Sequence, residues 1–226
     1  MPKFSIVMPL LMQHEYQYNM TIACIDNIKA FTQDYELLVF HSMSPYKGEH
    51  IAKLLREEDT YIPYEENPSQ VDVLNRGIKM AKGDYIILIG NDNFVHERWL
   101  EEIEKRLDYE GYDILACCSH RNFTDEELKY SAFSFVNFQG VTIPKKIFDD
   151  VGLFEEQLPF YLWERDFDRR LDLEGYRVAI VKDSLMTTPQ SMTRMNVTLP
   201  KGVKNWWTEK QMRKELDFYK QKWEET

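Results

Sequence analysis

Cysteine is scarce. Cys24, Cys117 and Cys118 give an odd count with two neighbours in sequence, a set that builds neither a disulfide framework nor a zinc site and reads as reduced thiols of a cytoplasmic protein. Long hydrophobic runs are missing as well. The apolar N-terminus is cut by Pro9 and followed by Gln13 and His14, so neither a signal peptide nor a membrane span is expected. The Asn-x-Thr triplets at Asn19, Asn122 and Asn196 then carry no meaning as glycan acceptors. Lys and Arg never gather into a block, and the formal charge is −10. Such a surface does not steer toward nucleic acid, although a local basic groove stays open to it. No Gly-x-Gly-x-x-Gly follows any strand, which argues against a dehydrogenase.

What is present is an ordinary globular composition, 43% apolar and 14% aromatic over 226 residues, enough for one sizeable α/β core. The pivotal stretch is Gly83 to Asn93. Tyr85 to Ile89 form an unbroken apolar run, as expected of a strand buried on both faces. The run ends in Asp92 between two carboxamides, Asn91 and Asn93. A carboxylate at the C-terminal edge of a central strand stands where open α/β sheets bind ligands, and oxygen donors suit a hard divalent ion that in turn suits a diphosphate. An Asn- and Asp-rich turn with no ligand is the competing reading.

Strands are predicted at Phe4–Met8, Glu36–Phe40, Tyr61–Tyr64 (near an edge, because of Pro63), Ile114–Cys118 and Tyr176–Val181. Ser131 to Gly140 is aromatic and also reads as strand. Helices are predicted at Tyr16–Phe31, Ile51–Glu57, Gln70–Lys82 with Gly83 as its C-terminal cap, from about Glu97, at Lys145–Val151 and at Asp166–Glu174. Asn122 to Lys129 is polar. The tail from Trp206 to Trp223, with Trp207, Met212, Leu216 and Tyr219, has helical spacing and reads as a packing helix, a partner or membrane-surface helix being the competing reading. Alternating elements to about residue 120 predict a mostly parallel sheet flanked by helices. No linker or repeat divides the chain, so residues 1–226 are expected to form one domain, with parts at 1–120, 121–182 and 183–226. A homodimer is admitted without being specified.

The order of motifs resembles the family 2 glycosyltransferases and their A-type nucleotide-sugar-binding fold. Phe4 to Pro9 is similar to the family's first strand, and Leu74 to Ile78 with Ala81 to Ile86 to the helix and strand before its metal motif. Gly90-Asn91-Asp92-Asn93 falls where the family carries Asp-x-Asp or Asn-Asn-Asp. Val151 to Glu156 resembles its Val-Gly-Gly-Phe-Asp-Glu turn. Trp163 to Phe167, with Arg170-Leu171 and Gly175 to Val178, resembles its Glu-Asp-x-Asp-Leu segment. Lys222-Trp223 is similar to the close of rhamnosyltransferase-like members. His41 and Ser42 replace the family's acids after the second strand, Gly90 replaces the first acid of the metal motif, and no His follows His120.

The resemblance implies an inverting, metal-dependent transfer of a sugar from a nucleotide-diphosphate donor to a hydroxyl acceptor, a glycan or polysaccharide. Mn²⁺ or Mg²⁺ on Asp92 would bridge the diphosphate. Glu164 matches the family's catalytic aspartate, counting back from Arg170, and Asp166 its second acid; both also suit the N-terminus of a helix. Pro9, His41, Asn75, Arg76, Asn91, Asp92 and Trp163 are the expected nucleotide-sugar contacts. Arg76 would reach a phosphate or stay solvated, His41 would meet the base or serve structure, and Trp163 would wall a sugar or pack the core. Two rivals share the fold: transfer to a modified nucleic-acid base, and a non-catalytic nucleotide-sugar-binding domain.

Overall fold

The computed structural model describes residues 1–46, 48–118, 126–189 and 208–224. Trp206, Trp207, His120, Asn122 and Asn196 lie outside them. In chain order the elements are β1 (Phe4–Leu10), α1 (Glu15–Phe31), β2 (Tyr35–His41), α2 (Glu49–Leu54), β3 (Thr60–Pro63), α3 (Gln70–Met80), β4 (Tyr85–Ile89), β5 (Phe94–Val95), α4 (Trp99–Glu104), β6 (Ile114–Cys118), β7 (Leu128–Ser131), α5 (Phe133–Val136), β8 (Gln139–Pro144), α6 (Ile147–Val151), α7 (Trp163–Glu174), β9 (Val178–Thr187) and α8 (Glu209–Glu224).

The strands run in the order β3-β2-β1-β4-β8-β6-β9-β5, with β7 beside β9. From β3 to β4 the pairing is parallel. β8 enters antiparallel between β4 and β6, and β6 and β9 are parallel. Apolar runs in β1, β2 and β4 follow from this arrangement, because helices cover both faces. Alternate residues feed two cores. Ile6, Met8, Leu37, Val39, Ile87 and Ile89 face α1 and α4 with Cys24, Ile25, Ile28, Trp99 and Ile103. Val7, Leu38, Phe40, Ile86 and Leu88 face α3 and the C-terminal helices with Leu74, Ile78, Phe154 and Phe167. Pro63 lies at the end of the edge strand β3, where its missing N–H costs no ladder bond.

Three expectations change. Gly83 does not cap α3, which ends at Met80 with Ala81 as its cap. Its N–H donates to Ser5 Oγ (2.8 Å), and a Cβ there would sit 2.8 Å from the Phe4 carbonyl carbon and 2.9 Å from Lys3 O. Glycine is needed because two backbones touch. The aromatic stretch from Ser131 to Gly140 is broken by the helical turn α5, in which Phe133 and Val136 point inward while Phe135 is 78% exposed. Finally β9 runs on to Thr187, exchanging β7 for β5 as its neighbour.

Candidate active site

The C-terminal edge of the parallel strands gathers the ends of β1, β2 and β4. β8 begins there too, since Gln139 pairs with Ile89. The turn from Gly90 to Asn93 is closed by the Asn93 N–H donating to Gly90 O (3.3 Å). It is gripped from one face of α1 by three side chains spaced three residues apart. Thr21 Oγ1 accepts from Asn91 Nδ2 (2.7 Å), the Cys24 thiol donates to Asn93 O (3.0 Å), and Asn27 exchanges two bonds with the Val95 backbone (2.7 and 3.0 Å). Burial pushes the Cys24 thiol up to about 12, so it stays a neutral donor. Asn93 faces the other way. Its Nδ2 donates to Phe138 O, and its Oδ1 accepts from Thr188 Oγ1 (3.0 Å).

Asp92 is thereby carried on a fixed turn. Burial raises its carboxyl above the usual range, offset in part by a bond from its own N–H. A carboxylate that is poorly hydrated gains from a cation, so the residue fits a hard divalent ion. Gly90 is tied to this geometry, because a Cβ there would sit 2.9 Å from Asp92 Oδ1. An acid at position 90 would push the Asp92 carboxylate aside. Among the described residues no three His, Cys, Asp or Glu gather into a metal cluster.

Glu164 lies in the first turn of α7, whose cap residue Leu162 has the left-handed φ of 61°. That conformation is costly for a branched residue and persists only where neighbours enforce it. Trp163 is 2% exposed and meets Phe154, Phe133 and Phe138 edge-on, with centroids 4.8, 6.0 and 6.1 Å away. Its ring is spent on the core, as one of the two readings of the sequence has it. The Phe138 contact closes a short chain of touching groups. Asn93, next to Asp92, holds the Phe138 carbonyl, and the Phe138 ring packs on Trp163, next to Glu164. The residues that follow Asp92 and precede Glu164 thus belong to one run of contacts through Phe138.

Asp166 is fully buried. Its Oδ2 accepts from Arg170 Nε (2.9 Å), while its Oδ1 accepts from Trp223 Nε1 (2.9 Å) and lies 2.8 Å from Lys222 Nζ. Asn75, buried on α3, exchanges two bonds with the Phe154 backbone (2.8 and 3.0 Å) and so fixes the turn after α6. Its neighbour Arg76 is exposed, donating to Tyr64 Oη (3.2 Å). His41, buried at the end of β2, shares a proton with Tyr61 Oη (2.6 Å), and burial holds its imidazole below the usual range, hence neutral. Pro9 pairs in register with Phe40 near the end of β1. Sequence reasoning missed Thr21, Cys24, Asn27, Phe138 and Glu215, none of which belongs to a motif.

A model of the family described as glycosyl transferase family 2 matches residues 5–168. The chain belongs to that family. This family 2 glycosyltransferase is 29% identical over 181 residues to an uncharacterized glycosyltransferase of Rickettsia typhi, covering 70% of this chain and 55% of the relative. It therefore spans about half the length of the rickettsial proteins it matches. It is 29% identical over 106 residues to the poly(ribitol-phosphate) beta-N-acetylglucosaminyltransferase TarP of Staphylococcus aureus, covering 46% of this chain and 32% of TarP. The solved structure of S. aureus TarS residues 1–349 with UDP superposes with a TM-score of 0.62 at 15% identity, covering 81% of this chain and 59% of that one. The glycosyltransferase fold follows from the family, and the mixed sheet agrees. No helix among the described residues is long and apolar enough to cross a membrane.

Proposed function

We propose that the chain moves a sugar, with inversion, from a nucleoside-diphosphate donor to a hydroxyl of a glycan or polysaccharide. Residues 1–226 are read as one cytoplasmic glycosyltransferase domain. The observation that carries the reading is the contact chain Asn93–Phe138–Trp163, which ties the Asp92 turn to the start of α7. On this reading one small molecule meets both Asp92 and Glu164.

Asp92 would hold Mn²⁺ or Mg²⁺, an ion that neutralises charge on the departing diphosphate when bound. Asn91 and Asn93 keep the turn in place rather than reaching the donor, since their amide nitrogens serve Thr21 and Phe138. Glu164 takes the proton of the acceptor hydroxyl as its oxygen attacks the anomeric carbon. A positioned carboxylate base is worth about 10²–10⁴ in rate. A single displacement of this kind inverts the anomeric centre. Asp166, with both oxygens engaged by Arg170, Lys222 and Trp223, ties α7 to α8. Arg76, exposed on α3, approaches a phosphate, while neutral His41 at the end of β2 borders the base.

The lone carboxylate of the metal turn favours one rival, a domain that binds nucleotide sugars without transferring them. Thermal shift with a panel of nucleotide sugars, uridine diphosphate sugars first, with and without Mn²⁺, tests the reading on wild type, Asp92→Ala and Glu164→Gln. The expected result is a donor whose metal-dependent stabilisation vanishes in Asp92→Ala, persists in Glu164→Gln, and accompanies transfer only in wild type. Stabilisation without turnover in wild type would leave the binding domain.

A further inference from the structure

We infer that Glu215 of α8 is a positioning residue for the base Glu164, acting by clamping the loop that leads into α7. This rests on the proposed role of Glu164. Glu215 is fully buried although it lies in a helix of charged residues. Its Oε2 accepts from two consecutive amides, Phe160 N (3.2 Å) and Tyr161 N (2.6 Å), and its Oε1 accepts from Gln211 Nε2 (2.8 Å). A carboxylate is removed from water at considerable cost, and here the return is a fixed backbone at two residues. The next residue is Leu162 in its left-handed conformation, then Trp163 locked in the aromatic core, then Glu164.

The strained step is therefore bracketed. Glu215 holds the amides before it, and the ring of Trp163 holds the residue after it. The bond from Asp166 N to Leu162 O (2.9 Å) closes the turn. The far end of α8 adds a second grip on the same segment. Lys222 Nζ bridges Glu155 (2.9 Å) and Asp166 (2.8 Å), one residue on each side of the loop, and Trp223 donates to Asp166. Phe218 and Tyr219 seat the helix on the core between the two grips. α8 lies outside residues 5–168, the part that the family model matches. Released, the loop would let Leu162 relax toward an ordinary conformation and swing the Glu164 carboxylate. A misplacement of about 1 Å at a reacting group costs up to ~100-fold in rate.

The test compares wild type, Glu215→Ala and Glu215→Gln, each shown folded by its thermal melt, in two measurements. The first is amide hydrogen exchange at Phe160 and Tyr161. The second is transfer kinetics with the donor found by the panel above. Glu215→Ala is expected to speed exchange at both amides at least about tenfold and to lower kcat about 10- to 100-fold. Donor KM should stay within about twofold, because the hydrogen bonds of Glu215 go to the loop before α7 and to Gln211 rather than to the Asp92 turn. Glu215→Gln keeps a carbonyl acceptor and should restore much of both. Unchanged exchange in Glu215→Ala overturns the clamp. Faster exchange with unchanged kcat, or kcat and KM falling together without rescue by Gln, overturns its link to Glu164. A wild type inert toward every donor sinks the glycosyl-transfer reading instead, and the exchange arm still decides the grip.

Discussion

Asp166→Asn separates the two acids of α7. The substitution keeps the shape of the side chain and removes its charge. In the native fold that charge is fully buried and faces Arg170 Nε at 2.9 Å and Lys222 Nζ at 2.8 Å. Removing one member of a buried ion pair costs about 3–5 kcal/mol, chiefly by stranding the other. Arg170 and Lys222 keep 15% and 26% of their side-chain surface exposed. Lys222 also retains Glu155, and Arg170 the Val151 and Gly152 carbonyls. The stranded charges are thus partly consoled, and the expected loss falls to about 2–3 kcal/mol. Urea unfolding of Asp166→Asn, Lys222→Met and the double variant measures it. The double variant should be less destabilised than the sum by about 1 kcal/mol or more, since both changes break one contact. Strict additivity, or a loss under about 0.5 kcal/mol for Asp166→Asn, would refute the reasoning. Activity adds the second half. Below its melt, Asp166→Asn should keep transfer within about tenfold of wild type while Glu164→Gln loses about 10²–10⁴. The reverse order would hand the proton to Asp166.

Two further perturbations probe the frame around the site. Gly83→Ala brings a methyl within 2.8–2.9 Å of the β1 backbone at Lys3, Phe4 and Ser5; backbone cannot yield as a side chain does, so a loss of about 1–3 kcal/mol is expected in chemical denaturation, and a neutral result would mean the crossing is loose. For His41, burial lowers the imidazole from its ordinary value of 6.5, so the unfolded chain takes a proton that the folded chain refuses. Its stability contribution is present above about pH 6.5 and is lost as pH falls from there through the lowered value. Denaturation midpoints between about pH 7.5 and pH 5.5 should fall more for wild type than for His41→Gln, and parallel falls would remove the assignment.

The parallel half of the sheet was legible because its physics is local. A strand covered on both faces is apolar along most of its length, and β1, β2 and β4 are, with Ser5, Glu36 and His41 as the buried polar residues. Pro63 announced an edge for the same kind of reason. The aromatic stretch before β8 was misread because Phe133, Phe135 and Phe138 alternate with polar residues well enough to imitate a strand. In the fold Phe135 turns out to solvent, and it is Phe133 and Val136, three apart, that share a face. β9 was cut short at Lys182 and Asp183, which look like its end. It continues because Ser184 is buried, donating to Trp99 O (2.8 Å), and because β5 takes over as partner.

At the site, motif order named Asp92 and Glu164, and nothing in the sequence named what holds them. Thr21, Cys24 and Asn27 are unremarkable polar residues in a helix until the turn from Gly90 to Asn93 is laid against them. Glu215 is one acid among many in a charged tail, and a buried acid carries no spacing of its own. The two supports also differ in kind. The Asp92 turn is held by short, neutral side chains, so its position is insensitive to charge elsewhere. The approach to Glu164 is held by a carboxylate and an ammonium on a helix that the family match does not include. Losing α8 would then leave the Asp92 turn intact while releasing the loop before Glu164. On the proposed function such a chain would still bind its donor yet transfer poorly, the behaviour expected of a non-catalytic binding domain.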